Sequence, residues 1–263
     1  MFGLGIIGNT MNMLIFTKLT LFQGNCCAFY LIAESVTSLF FLILIYVLQT
    51  YITLHGVDLA NISILYCKAN TALGQASRLI IDYIVCLQTL DQYLSTHYQP
   101  HIRSMSTLKL ARYLVIITAI VWILQTIPYF IFYDIIPPLG CIINNQALKN
   151  YYSFFHYLVL HGFLPILLSA FFSILAYRNV RRLVRRQIPI GRRRLDRQLT
   201  AMIFVRVLFF IILLLQYTIF RAYSLNINVT KLDSLNNAIF QLISAVSKVL
   251  AFANYCVRFL HYS

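Results

Sequence analysis

The sequence predicts an all-α membrane protein, a seven-transmembrane helix bundle with its N-terminus outside and its C-terminus in the cytoplasm. Three observations carry this. First, 60% of the 263 residues are hydrophobic and only 11% are charged, against roughly 25% charged in a soluble domain. Second, the apolar residues gather into seven runs, each near the ~20 residues that a spanning helix needs. Third, lysine and arginine fall unevenly on the two sides of those runs. Mean hydropathy is +0.76. A soluble core cannot bury that much apolar surface. A soluble enzyme, a disordered chain and a disulfide miniprotein are therefore excluded.

The chain reads as one seven-span domain over residues 1–263. The spans fall at about 2–17, 26–49, 67–93, 110–133, 151–178, 199–223 and 235–261. The first is short: at 1.5 Å per residue it reaches roughly 24 Å, less than a ~30 Å hydrocarbon core. The chain is thus expected to begin inside the first helix. A signal peptide fits poorly, because no basic segment precedes the run and no small-residue cleavage site precedes Lys18. Turn or charge signals separate most spans: Gln23-Gly24-Asn25, Pro137-Pro138-Leu139-Gly140, the arginine block, and the stretch from Asn226 to Asp233. Neither an internal repeat nor a low-complexity tract beyond the arginines is present.

The net charge of +14 alone would fit nucleic acid. Its distribution fits a cytoplasmic loop instead, since nine arginines lie between Arg178 and Arg197. No nucleic-acid partner is expected; the lipid bilayer is. With the N-terminus outside, the inner loops hold thirteen of the 21 basic residues and the outer segments four: Lys68, Lys149, Arg221 and Lys231. The two N-x-S/T sequons, Asn61-Ile62-Ser63 and Asn228-Val229-Thr230, both fall outside on this topology. So do Cys67 and Cys141, which an oxidising exterior would let pair. Cys26, Cys27, Cys86 and Cys256 lie at membrane depth or near the cytoplasm and read as free thiols.

Several short motifs recur in order along these spans. The first has Gly8-Asn9 and the second Glu34-Ser35-Val36-Thr37-Ser38-Leu39. The third opens on Cys67 and closes on Asp91-Gln92-Tyr93. Trp122 lies in the fourth and Pro165 in the fifth; Asp196 and Phe210 lie at the start and middle of the sixth. The seventh ends Arg258-Phe259-Leu260-His261-Tyr262. In this order and spacing the chain resembles a rhodopsin-like G-protein-coupled receptor. The motifs correspond to that family's Gly-Asn, Leu-Ala-x-x-Asp-Leu, Asp-Arg-Tyr and Asn-Pro-x-x-Tyr sequences. The departures are specific. Ser38 replaces the second-span aspartate, Gln92 the central arginine, Leu214 a tryptophan, Gln216 the sixth-span proline, and Arg258-Phe259 the Asn-Pro pair. They read as a divergent receptor or one incomplete at its ends.

A charge at membrane depth is expensive and hence a functional candidate. Thr71, Gln75, Arg78 and Asp82 recur at helical spacing and share one face of the third span. Arg78 and Asp82, four apart, are placed to pair within that helix. The resemblance implies that Thr71, Gln75 and Arg78 line a ligand cavity with Tyr157 and His161 of the fifth span. Tyr217 and Arg221 of the sixth and Lys248 of the seventh complete the set. Gly74 stands where amine receptors carry an aspartate, which disfavours an amine ligand. Lys248 lies one turn before the retinal-lysine position, held here by Phe252, so retinal is not expected. His156 and His161 are five apart and point roughly 140° from each other on an α-helix, which argues against a shared zinc. The expected cofactor is therefore none, and no nucleophile–base–orienter set marks an enzyme.

The resemblance also implies a polar core of Asn9, Glu34 and Ser38 and a coupling face of Asp91, Gln92, Tyr93, Asp196, Arg258 and Tyr262. Where the family holds sodium with a second-span aspartate, a third-span serine and a seventh-span asparagine, this chain has Ser38, Ile81 and Arg258. Arg258 is expected to replace the ion and pair with Glu34. Asp91, beside a neutral Gln92, is expected to bond Arg103 or Arg206. The function implied is a plasma-membrane receptor for an extracellular ligand, with a small peptide indicated by the cationic cavity, acting on a cytoplasmic heterotrimeric G protein. A non-signalling relative and a small seven-helix transporter are the alternatives. The transporter would need inverted repeats and broken helices at mid-membrane, and Pro165 is the only deep helix breaker.

Overall fold

The computed structural model describes residues 2–18, 24–56, 58–136, 140–183, 190–226 and 234–256. Helices dominate them. α1 is Phe2–Lys18, α2 Cys26–His55 and α3 Ile64–Ser95. A short helix, α4 (Pro100–Ser104), leads to α5 (Leu108–Gln125) and α6 (Ile127–Phe132). Strands β1 (Tyr133–Ile136) and β2 (Gly140–Ile143) form an antiparallel hairpin. α7 (Gln146–Asn150) runs into a π-helical segment (Tyr151–Phe163) and then α8 (Leu164–Leu183). α9 (Ile190–Asn226) and α10 (Ser234–Cys256) follow.

Local chemistry sets most boundaries. The Asn25 side chain accepts from Cys27 N–H to start α2, and Gly56, at φ 68°, ends it. Ser63 caps α3 and Thr107 caps α5 in the same way. The expected fourth span is broken at Thr126, two residues before Pro128, because proline has no N–H to donate to the carbonyl four residues back and its ring crowds that carbonyl. At the expected fifth span, Leu164 N–H donates to Val159 C=O, the i-to-i−5 bond of a π-helix. Pro165 follows immediately, and the backbone returns to α-helical winding there.

Among the described residues, five helical stretches are long and apolar enough to cross a membrane: Cys26–His55, Leu108–Phe132, Gln146–Arg181, Ala201–Ser224 and Ala238–Tyr255. α1 has 17 residues, and α3 carries Lys68, Arg78, Asp82 and Asp91. The polarity of the bundle is the reverse of a soluble protein's. Ile116, Ile120, Ile123 and Leu124 of α5 face outward, while Asn9, Asn12, Glu34, Ser38, Asp82 and Gln88 are buried. Only a solvent of lipid tails favours that arrangement. The chain is thus an all-α protein of membrane type, with the small hairpin as its sole sheet among the described residues.

α3 is the interior helix. It packs on α2, α5 and α8, while α1 meets both α2 and α10, and α8, α9 and α10 pack in sequence. The result is a ring of helices closed by the α1–α10 contact. Ile80 and Ile84, opposite the polar stripe of α3, are buried with Tyr30, Ala76 and Ala111. α3 is therefore enclosed on both faces, which explains how it dispenses with an apolar exterior.

Candidate ligand cavity and interhelical ties

Cys67 at the start of α3 is joined to Cys141 in β2, with their Cα atoms 5.9 Å apart. This pins the hairpin over one end of the bundle. Asn61 reinforces the junction: its Oδ1 accepts from Cys141 N–H at 3.1 Å. A Cβ on Gly140, whose φ is +80°, would lie 2.5 Å from that same oxygen. Glycine is thus required by both conformation and space. Asn61 is itself exposed.

Below the hairpin lies a cavity of about 350 Å³ between α2, α3, the π segment, α9 and α10. Five of the eight residues expected from the sequence line it: Thr71, Arg78, His161, Tyr217 and Lys248. The other three form a cluster alongside. Gln75 Nε2 donates to Tyr157 Oη at 2.6 Å, and Arg221 lies 4.8 Å from the centre of the Tyr157 ring. Gly74 and Phe252 also line the cavity. Its remaining wall is largely apolar, from Phe41, Leu44 and Ile45 on α2 and Ala251 on α10.

Arg78 does not stand beside a carboxylate partner. Its Nε donates to Gly74 C=O at 3.3 Å, and its guanidinium lies 5.7 Å from the centre of the Phe41 ring. Asp82 instead meets His161, Nδ1 to Oδ2 at 2.5 Å, both groups almost fully buried. The expected Arg78–Asp82 pairing within α3 is thus replaced by a tie between α3 and the π segment. His161 presents its ring to the cavity and to Asp82 together.

The π segment also revises the geometry of the two histidines. With the ladder closing five residues on, positions five apart come nearly above one another. His156 and His161 therefore both face α3: His156 Nε2 lies 3.4 Å from Gln75 Oε1, and its Nδ1 is 3.2 Å from Gln125 Nε2. The expected divergence of about 140° assumed α-helical winding. No group of three or more metal-ligating side chains gathers among the described residues. Tyr129 and Tyr152, both buried, pack their rings 4.4 Å apart beside His156, between this network and the hairpin.

A second polar network crosses the other half of the bundle. Glu34 on α2 is ion-paired with Arg206 on α9. Arg206 also donates to Gln88 Oε1 on α3 at 2.6 Å, and Gln88 reaches Cys27 Sγ on α2 at 3.4 Å. The cation found by Glu34 is thus Arg206, where Arg258 was expected. Asp91 accepts from Ser106 Oγ at 2.7 Å, where Arg103 or Arg206 was expected. Gln92 is buried, and Tyr93 is half-buried against His97 and Phe172. Asn9 Nδ2 donates to Tyr255 C=O at 3.2 Å, tying α1 to α10, and Ser38 is fully buried.

Arg258, Tyr262 and Asn228 lie outside the described residues, as does the side chain of Asp196 on α9. Sequence reasoning offered Arg206 only as a candidate partner for Asp91, whereas it pairs with Glu34. It did not assign Gln88 or His156; the π winding that brings His156 to Gln75 leaves no mark in the residue pattern. The chain matches no protein-family model and no curated protein.

Proposed function

We propose that the chain is a seven-span receptor of the plasma membrane, N-terminus outside, whose cavity binds an extracellular ligand and whose opposite face acts on a heterotrimeric G protein. The observation that carries the reading is the position of α3. Its outer end is tethered by Cys67–Cys141, its middle lines the cavity through Thr71 and Arg78, and its far end reaches Asp91 and Gln92. One helix thus spans from ligand to effector.

The two buried ties give that helix something to transmit. His161–Asp82 links the cavity to α3, and Glu34–Arg206–Gln88 links α2, α3 and α9. A ligand that binds one arrangement of these helices better shifts the population toward it. Outward movement of α9 requires Arg206 to leave Glu34 and Gln88, so that network opposes the open state. A non-signalling relative is the second reading, favoured by Gln92, which offers no cation to an effector. A ligand panel read through a promiscuous G protein tests the proposal. Ligand-driven nucleotide exchange supports it; saturable binding without exchange on any G protein favours the second reading.

A further inference from the structure

We infer that the cavity takes one small lipophilic acid, a molecule with a single carboxylate and an apolar body of roughly ten carbons, and not a peptide. The inference rests on the receptor reading and narrows its ligand class. Size comes first. About 350 Å³ holds on the order of a dozen water-sized groups at about 30 Å³ each. That is near the lower end of small-molecule sites and less than a tripeptide with average side chains occupies.

Charge comes second. Among the described residues the lining contains Arg78, Lys248 and His161 and no carboxylate. His161 is already held by Asp82, and among the described residues neither Arg78 nor Lys248 is ion-paired. The described hydrogen bond of Arg78 uses only its Nε. The two terminal nitrogens are thus left for a carboxylate, which the planar guanidinium matches in paired fashion. A guanidinium in a lipid-embedded bundle is costly until an anion meets it. Shape comes third. A Cβ on Gly74, one turn from Arg78, would meet nothing within 4 Å, so the cavity is open on that face of α3, with room for an acid group. Phe41, Ile45 and Phe252 supply an apolar wall for the rest of the molecule.

Decanoate, with about a dozen heavy atoms, matches this volume. The test is binding of radiolabelled decanoate to the full chain in phosphatidylcholine nanodiscs, with decanol and decylamine as competitors. Saturable binding is expected, with decanol at least about tenfold weaker and decylamine without effect. Arg78→Gln should weaken decanoate at least about tenfold. Should that variant fail to fold, Gly74→Asp decides, because it sets a fixed carboxylate beside Arg78; it should lose far more affinity than Gly74→Asn. Equal competition by decanol, equal loss in the two Gly74 variants, or no saturable binding would each overturn the inference. Binding without nucleotide exchange would count against the signalling reading alone, and exchange driven by another ligand without decanoate binding against this inference alone.

Discussion

Glu34 and Arg206 show most sharply how a single residue is used here. Both are charged groups in an apolar medium, and each offsets the cost of burying the other. Removing one leaves a buried charge behind. Glu34→Leu or Arg206→Met alone should each lower stability by about 3–5 kcal/mol. The double variant should recover most of that loss, since matched apolar replacements of a buried pair are often neutral. Thermal melting of the four proteins in nanodiscs measures this, and a double variant as unstable as the summed singles would contradict the pairing. The sequence offered Glu34 as a partner for Arg258 and Arg206 as a candidate partner for Asp91, and so did not pair the two. Partner choice depends on how α2 and α9 are rotated in the bundle, and no local pattern encodes that rotation. Asp82 repeats the lesson. Arg78 is four residues away on the same helix, but the carboxylate reaches across to His161 instead.

Helix positions were largely readable, because apolar runs and the turn signal at Gln23-Gly24-Asn25 are local features; the caps at Ser63 and Thr107 emerge from the structure. Helix winding was not readable. The π segment changes which residues share a face, and it packs close to α9 at Gly162. A Cβ there would stand 2.6 Å from Thr218 Cγ2 and 3.1 Å from Tyr157 C=O. Gly162→Ala must therefore push the π segment and α9 apart, at about 1–3 kcal/mol. Gly74→Ala, where a Cβ meets nothing, carries no such contact. Both variants share the propensity gain of alanine, so the difference between their melting temperatures isolates the crowding. Gly162→Ala should be the less stable; equal stabilities would mean that the close approach is absent. The hairpin offers a second element-scale test. Cys67 and Cys141 close a 74-residue separation, and replacing both with serine should cost about 2–4 kcal/mol. In the natural protein both thiols should resist labelling until a reductant is added.

At the scale of the molecule, composition alone pointed to a membrane bundle, and the structure bears out its helical, inside-out character. Five of the helical stretches are recognisable as apolar spans. α3 escapes that criterion because it is enclosed by its neighbours and spends its surface on Arg78, Asp82 and Gln88 rather than on lipid contact. Orientation is tested by glycosylation. With Asn61 outside, its exposed side chain should carry a glycan in cells, removed by glycosidase treatment and absent in Asn61→Gln. An unmodified chain with the arginine block accessible from outside would reverse the topology. The account as a whole stands on coupling between α3, α9 and an effector, held back by Arg206 and weakened by Gln92. Nucleotide exchange on reconstituted G proteins measures this directly, comparing the natural protein, Gln92→Arg, Glu34→Gln and the double variant. The natural protein should catalyse little exchange, Glu34→Gln should raise the basal rate by releasing α9, and Gln92→Arg should raise it further by about fivefold or more by supplying a cation. Exchange no faster than in empty nanodiscs for all four proteins would contradict the account, as would strong exchange by the natural protein that Gln92→Arg leaves unchanged or reduces.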